Sequence, residues 1–164
     1  MKEIYVLRHA KSSWDNSNLS DFDRPLSDRG ISDANKMSKF LRNINLKIDK
    51  VLCSNAVRAK KTFDLIADDF NFEIDKVTYS DKLYFGDVTN IIKDLKELDE
   101  SLNNILIVGH NPTLHYLVEI LTNESINRFT TCNLATISHD GEWISLNSHQ
   151  CRLKSLIKPK DLNN

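Results

Sequence analysis

The fold class is decided by one stretch of the chain, Ile105-Leu106-Ile107-Val108-Gly109-His110-Asn111-Pro112. Its four successive apolar residues predict a short strand that is buried on both faces, as in a parallel sheet covered by helices. Gly109 and His110 follow the strand directly. Asn111 is suited to be the N-cap of a helix and Pro112 to be its first residue, so the strand should run through a tight turn into a helix.

The same order of strand, loop and helix recurs towards the amino terminus. Short strands are predicted at residues 3–7, 49–53 and 77–79. Helical spacing of apolar residues predicts helices from Ser27 to Ile44, from Ser54 to Phe70 and from Val88 to Leu98, with Ser27 and Ser54 as N-caps. Strands that alternate with helices imply right-handed crossovers, and therefore a three-layer α/β/α sandwich around a mainly parallel sheet.

The carboxyl-terminal part has a different pattern. Asp140 and Gly141 separate two β-rich runs, Leu134–Ser138 and Trp143–Leu146, which predicts an antiparallel hairpin near one edge of the sheet. No composition shift or linker divides the chain, so residues 1–157 are predicted to form a single domain. Residues 158–164, with Pro159 and three polar residues among the last four, are expected to fray.

Composition narrows the classes of function. The 164 residues carry a formal net charge of -1, which gives no overall field for non-specific binding to nucleic acid or an anionic membrane. No apolar run is long enough for a membrane span or a signal peptide. Cys53, Cys132 and Cys151 lack metal-binding or redox spacing and are expected to be reduced thiols, so we expect a cytoplasmic protein. The oligomeric state is left open.

Four chemically capable side chains are predicted to meet at one rim of the sheet. Arg8 and His9 end the first strand, Arg58 lies one turn after the second, and His110 follows the fourth. Ligands of open α/β sheets bind beyond the carboxyl ends of the strands, and guanidinium groups match phosphate oxygens. Two histidines beside two arginines suit a metal centre poorly, so we expect no metal and no cofactor, with one imidazole attacking phosphorus.

These residues carry a resemblance to the histidine phosphatase superfamily. Arg8-His9-Ala10 resembles its first motif, residues 54–59 with Thr62 its second, and residues 109–112 its third. The resemblance implies that His9 is the nucleophile, and that Arg8, Arg58 and His110 hold the phosphoryl oxygens. It also implies that the hydroxyl of Ser27 lies near the phosphate.

Within the superfamily, the chain looks most like the SixA-type phosphohistidine phosphatases. The features that carry this likeness are the short length, residues 8–14, residues 23–26 and the pair Leu83-Tyr84. Ala10 replaces the usual glycine, and no glutamate aligns with the general acid of many relatives. Asp81 and Asp87 are the candidates for that role. Without a strong acid, phosphomonoesters should react slowly, whereas a phosphohistidine can leave as neutral imidazole.

The sequence therefore predicts a metal-independent phosphatase that removes phosphate from phosphohistidine on a protein. The alternatives are a phosphatase for a small phosphorylated metabolite and, from another class, a non-catalytic module that binds phosphorylated partners. His115, His139 and His149 are expected at the surface. Trp14 could line the pocket, but an anchor for the loop is the preferred interpretation. Lys11 and Arg24 could be solvated or could attract an anionic partner.

Overall fold

The structure is a computed structural model that describes residues 1–68, 72 and 74–162. Within these residues it has six strands and four α-helices. The strands are β1 (Lys2–Arg8), β2 (Lys50–Ser54), β3 (Val77–Ser80), β4 (Asn104–Gly109), β5 (Leu134–His139) and β6 (Arg152–Ile157). The helices are α1 (Asp28–Asn43), α2 (Val57–Ala67), α3 (Val88–Lys96) and α4 (Thr113–Thr122). Phe70, expected on the second helix, lies outside the described residues.

The strands form one sheet in the order β3-β2-β4-β1-β5-β6. The first four strands of this order are mutually parallel, whereas β5 pairs antiparallel with both β1 and β6. The predicted mainly parallel α/β sandwich is therefore confirmed. The two central strands, β1 and β4, end at the first and third predicted motifs, and β2 beside β4 ends at the second.

Each face of the sheet has its own apolar core. Ile4 and Val6 of β1 pack with residues of α3 and α4, while Tyr5 and Leu7 pack with residues of α1 and α2. Alternate residues of an extended chain point to opposite faces, so a strand covered on both sides must be apolar throughout. This is the physical reason for the continuous apolar run in β1.

The prediction that Trp143–Leu146 forms the strand paired with Leu134–Ser138 was wrong. β5 pairs with Arg152–Ile157, whereas residues 143–145 form a short 3-10 helix. Trp143 is fully buried, and its indole N–H donates to the carbonyl of Leu102. The carboxylate of Glu100 accepts the backbone N–H groups of Trp143 and Ile144. These contacts turn the backbone away from the extended form that its β-rich composition favours.

The segment from residue 158 onward, which the sequence predicts to fray, is described as far as Leu162. Pro159–Asp161 form a 3-10 helix, Pro159 is buried, and Leu162 packs against the core on the α1 side. Residues 163 and 164 lie outside the described part. Across the described ranges, no helix is both long and apolar enough to cross a bilayer.

Trp143 offers a test of this packing. Trp143→Ala should lower the free energy of unfolding by about 3–5 kcal/mol, because it removes a large buried side chain and leaves a cavity. The matched control is Ile144→Ala, whose side chain is 62% exposed and should contribute less than about 0.5 kcal/mol. Urea unfolding followed by circular dichroism measures both. Equal losses in the two variants would contradict the packing described for Trp143.

Candidate active site

The pairing of β1 with β4 brings the first and third motifs together. Arg8 pairs with Gly109, so His9 and His110 leave adjacent parallel strands side by side. Their ring centroids lie 5.1 Å apart. The next strand, β2, pairs Cys53 with Val108 and thereby places the end of β2 at the same edge.

His9 has a defined orientation. Its Nδ1 lies 2.7 Å from the carbonyl oxygen of Ala10, which can only accept, so Nδ1 carries the proton and Nε2 has the unprotonated lone pair of the ring. The Nε of Arg58 lies 3.4 Å from that Nε2. The backbone N–H of Ala10 donates to Oγ1 of Thr62, which fixes the turn behind the ring. An unprotonated ring nitrogen therefore lies beside a guanidinium.

Arg58 is positioned by the first turn of α2 and is almost completely buried. Thr62, one helical turn later, donates its hydroxyl to the carbonyl of Arg58. The two terminal nitrogens of Arg58 donate to the backbone and side-chain oxygens of Asp21, at 2.6 and 2.9 Å. All three guanidinium nitrogens thus have partners within the site.

His110 is held by a residue that the sequence analysis placed in a different role. Its Nε2 lies 2.8 Å from Oγ of Ser54. Ser54 was expected to cap the second helix, but Ala56 is the N-cap and Ser54 ends β2. Nδ1 of His110 is buried and has no hydrogen-bond partner among the described residues. A buried polar atom without a partner is costly, and a phosphoryl oxygen would satisfy it.

Asn111 also differs from its expected role. The helix α4 begins at Thr113 with Pro112 as its N-cap, and Nδ2 of Asn111 donates to the carbonyl of Phe129 at 2.6 Å. The guanidinium of Arg8 donates to the same carbonyl at 3.2 Å. The loop that contains Phe129 therefore ties the ends of β1 and β4 together.

The four predicted residues line one pocket of about 220 Å³. Its lining consists of Arg8, His9, Lys11, Ser12, Trp14, Asp21, Arg24, Arg58, Phe85, His110, Asn111 and Thr131. Among these described residues there are four cationic side chains and one carboxylate. The pocket therefore has an excess of positive charge, which suits a dianion such as a phosphoryl group.

Asp21 is a site residue that the sequence analysis missed. Its carboxylate accepts hydrogen bonds from Arg58, Arg24 and the hydroxyl of Tyr84. Burial opposes its ionisation, but these hydrogen bonds outweigh burial and hold the pKa of the Asp21 carboxyl well below its usual range. Asp21 is therefore an anion, and it occupies donors of Arg58. It lies in a polar loop without periodicity, so no local pattern marks it.

The structure places the three remaining candidate residues outside the pocket lining. Ser27 is confirmed as the N-cap of α1, accepting from Gly30 N–H and donating to the carbonyl of Lys11. Asp81 accepts from Nδ2 of Asn55, and Asp87 caps α3. Both aspartates are exposed. Neither belongs to the lining of the pocket described above.

Trp14 and Arg24 have clearer roles than expected. Trp14 was interpreted as a loop anchor, but its indole lines the pocket and remains exposed. Arg24 is buried, its guanidinium carbon lies 3.1 Å from the centroid of the Trp14 ring, and it also lines the pocket.

Of the other histidines, His139 is buried, contrary to expectation, and contacts the carbonyl of Glu142.

Both site histidines are neutral. Burial lowers the pKa of His9 to about 3, with the charges of Arg58 and Arg8 acting in the same direction and the hydrogen bond to Ala10 opposing them. Burial, with nearby His9 and Arg58, also lowers the pKa of His110 to about 3. A neutral imidazole has the lone pair that a nucleophile needs.

Comparison with known proteins identifies the class. Residues 4–97 match the model of the histidine phosphatase superfamily (branch 1), and the chain belongs to this family. An uncharacterised protein of Mycobacterium leprae is 30% identical over 94% of this chain and 100% of its own length. The family predicted from the three motifs is therefore confirmed, and it identifies the chain as a phosphatase-type enzyme.

The more specific likeness is to phosphohistidine phosphatases. The phosphohistidine phosphatase SixA of Escherichia coli is 28% identical over 84% of this chain and 86% of its own length. A solved structure of the protein histidine phosphatase SixA complexed with tungstate superposes with a TM-score of 0.86 at 27% identity. That superposition covers 98% of this chain and 99% of the other.

The charge state of the two histidines can be measured directly. In ring ¹⁵N NMR, His9 and His110 should stay neutral from pH 8 down to pH 5, because their pKa values are lowered to about 3. A short unstructured peptide that contains histidine, added to the same tube, should titrate at about pH 6.5. His9→Ala and His110→Asn spectra assign the signals. If either ring titrated together with the peptide, burial would not be lowering its pKa.

The lowered pKa values of His9 and His110 also determine the direction in which the free energy of unfolding changes with pH. The unfolded chain binds protons at these histidines below about pH 6.5, whereas the folded chain does not until about pH 3. Their contribution to stability is therefore complete above pH 6.5 and is lost as the pH falls towards 3.

Asp21 should compete with oxyanions for Arg58. Asp21→Asn removes the negative charge but keeps an oxygen acceptor, so tungstate should bind about three- to tenfold more tightly. Asp23→Asn is the matched control, since Asp23 is exposed on the same loop and does not line the pocket. Isothermal titration calorimetry measures both. Weaker binding to Asp21→Asn would show instead that the carboxylate mainly orients Arg58.

Proposed function

We propose that this protein is a metal-independent phosphohistidine phosphatase in which His9 is the nucleophile. The observation that carries the proposal is the position of the His9 Nε2 lone pair, inside a pocket lined by four cationic side chains. In this proposal Arg8, Arg58 and His110 hold the phosphoryl oxygens. The likeness to the SixA proteins supports the same substrate class.

The first step transfers the phosphoryl group to His9. Nε2 attacks phosphorus and the P–N bond of the substrate breaks, with its electron pair remaining on the substrate imidazole. When that imidazole already carries a proton on its other nitrogen, it leaves as a neutral ring. The proton on Nδ1 of His9 stays in its hydrogen bond to Ala10, which stabilises the phosphorylated ring.

The second step regenerates the enzyme. Water attacks the phosphorus of phospho-His9, the P–N bond breaks, and its electron pair returns to Nε2. Both protons of the water leave with the product, dihydrogen phosphate, so His9 is again neutral. In this proposal Ser54 donates to Nε2 of His110, which leaves the buried Nδ1–H of His110 to donate to a phosphoryl oxygen.

The pocket favours a P–N over a P–O substrate because it lacks a proton donor of suitable strength. Among the described lining residues, the one carboxyl is that of Asp21, which is ionised. His110 is neutral, with its pKa lowered to about 3. An alkoxide leaving group needs a proton, whereas a protonated imidazole does not. This difference favours phosphohistidine over a metabolite monoester.

The physiological setting follows from the same chemistry. The proposed partner is a protein phosphorylated on histidine, presented at the pocket without nucleic acid or membrane. We place the enzyme in the cytoplasm, where its three buried, free cysteines would remain reduced.

The central test is His9→Ala. Hydrolysis of a ³²P-phosphohistidine protein should fall at least about 10³-fold, because the covalent step is lost. His149→Ala is the matched control, since His149 is exposed and outside the pocket lining. A chelator such as EDTA should leave turnover unchanged.

Rapid quenching into base should trap an alkali-stable label on the peptide that contains His9. Full turnover by His9→Ala, or a label located elsewhere, would overturn the proposal.

A further inference from the structure

Two aromatic side chains at the pocket remain open to solvent. Trp14 is 71% exposed and Phe85 is 51% exposed, yet both line the pocket that contains His9. They come from different loops, one after β1 and one after β3. Large exposed aromatic rings beside a polar pocket are typical of surfaces that bind a ligand.

The Trp14 ring packs against the guanidinium of Arg24, which is held by hydrogen bonds. Arg24, stacked 3.1 Å beneath it, donates to the carbonyl of Ser13, to Ser12 Oγ and to the carboxylate of Asp21. Every nitrogen of this guanidinium therefore has a protein acceptor. One face of the indole is packed, while the side chain as a whole remains largely accessible.

Phe85 is held against the catalytic residues. Its ring centroid lies 5.3 Å from that of His110 and 4.6 Å from that of Tyr84. Its backbone has a φ of 54°, a left-handed conformation that is unfavourable for a residue with a bulky side chain. Gly86 follows at a close approach, since a Cβ there would lie 1.7 Å from the carbonyl of Lys82. Strain of this kind is characteristic of functional positions.

We infer that Trp14 and Phe85 form a leaving-group subsite that binds the imidazole ring of the substrate by stacking. The inference rests on the proposed function and names the part of the substrate that lies next to phosphorus. In a phosphohistidine the planar ring is bonded directly to the phosphoryl group. When the phosphoryl group lies beside the buried side chains of Arg58 and His110, the ring bonded to it therefore lies towards the exposed side chains of Trp14 and Phe85.

The subsite also compensates for the missing general acid. An imidazolium ring is stabilised by the faces of aromatic side chains through cation–π attraction. Stacking on Trp14 and Phe85 thus favours the protonated form of the substrate ring. That form is the one that departs as neutral imidazole without a proton donor in the pocket.

Two small substrates separate ring recognition from P–N chemistry. N-phosphoimidazole has the ring, whereas phosphoramidate has a P–N bond to an amine nitrogen and no ring. The double variant Trp14→Ala/Phe85→Ala should lose about tenfold in kcat/KM on N-phosphoimidazole, the scale expected for two ring contacts. On phosphoramidate the same variant should lose no more than about twofold in kcat/KM.

Conservative and distant variants complete the experiment. Trp14→Phe/Phe85→Tyr keeps both rings and should recover most of the rate on N-phosphoimidazole. Tyr116→Ala removes an exposed aromatic ring outside the pocket and should match the wild type. Equal losses on both substrates, or no loss on either, would overturn the subsite. A wild-type enzyme that hydrolyses phosphomonoesters but neither P–N compound would instead overturn the proposed function.

Discussion

The site depends on the parallel pairing of β1 with β4. Because the paired strands end together at Arg8 and Gly109, the next residue of each, His9 and His110, emerges at the same height. A shift of one residue would turn either histidine towards the opposite face of the sheet, since side chains alternate along a strand. The two apolar cores, one on each face, hold this register by burying alternate residues of β1.

The same arrangement creates an electrostatic problem. Arg58 and Arg24 are nearly buried beside His9, and unpaired buried charges are unfavourable. Asp21 reduces this cost by accepting from both guanidinium groups. The histidines reduce it further by remaining neutral, which also leaves His9 with the lone pair that the proposed attack on phosphorus needs. The balance of charge within the protein and the suitability of the pocket for a dianion thus come from the same contacts.

The buried and the exposed residues of the pocket differ in chemistry. The buried ones offer guanidinium and imidazole groups for a phosphoryl dianion, while the exposed ones include the rings of Trp14 and Phe85. Asp81 and Asp87 lie elsewhere, bound to Asn55 and to the start of α3. A site without an available acid but with aromatic walls is suited to a leaving group that is itself a planar base. Both features follow from loops, and not from the sheet.

The sequence by itself determined the alternation of strands and helices and the convergence of Arg8, His9, Arg58 and His110. Carboxyl ends of parallel strands share one edge, so local patterns were sufficient for that conclusion. Ser54 shows the limit: a serine before a helix suits a cap, and only the adjacency of β2 and β4 places it on His110.

Contacts between segments far apart in the chain decided the rest. Asp21 meets Tyr84, and Trp143 leaves its extended pattern because Glu100 and Leu102 bind it. Such contacts depend on how loops and elements pack in three dimensions, and no local spacing of residues encodes them.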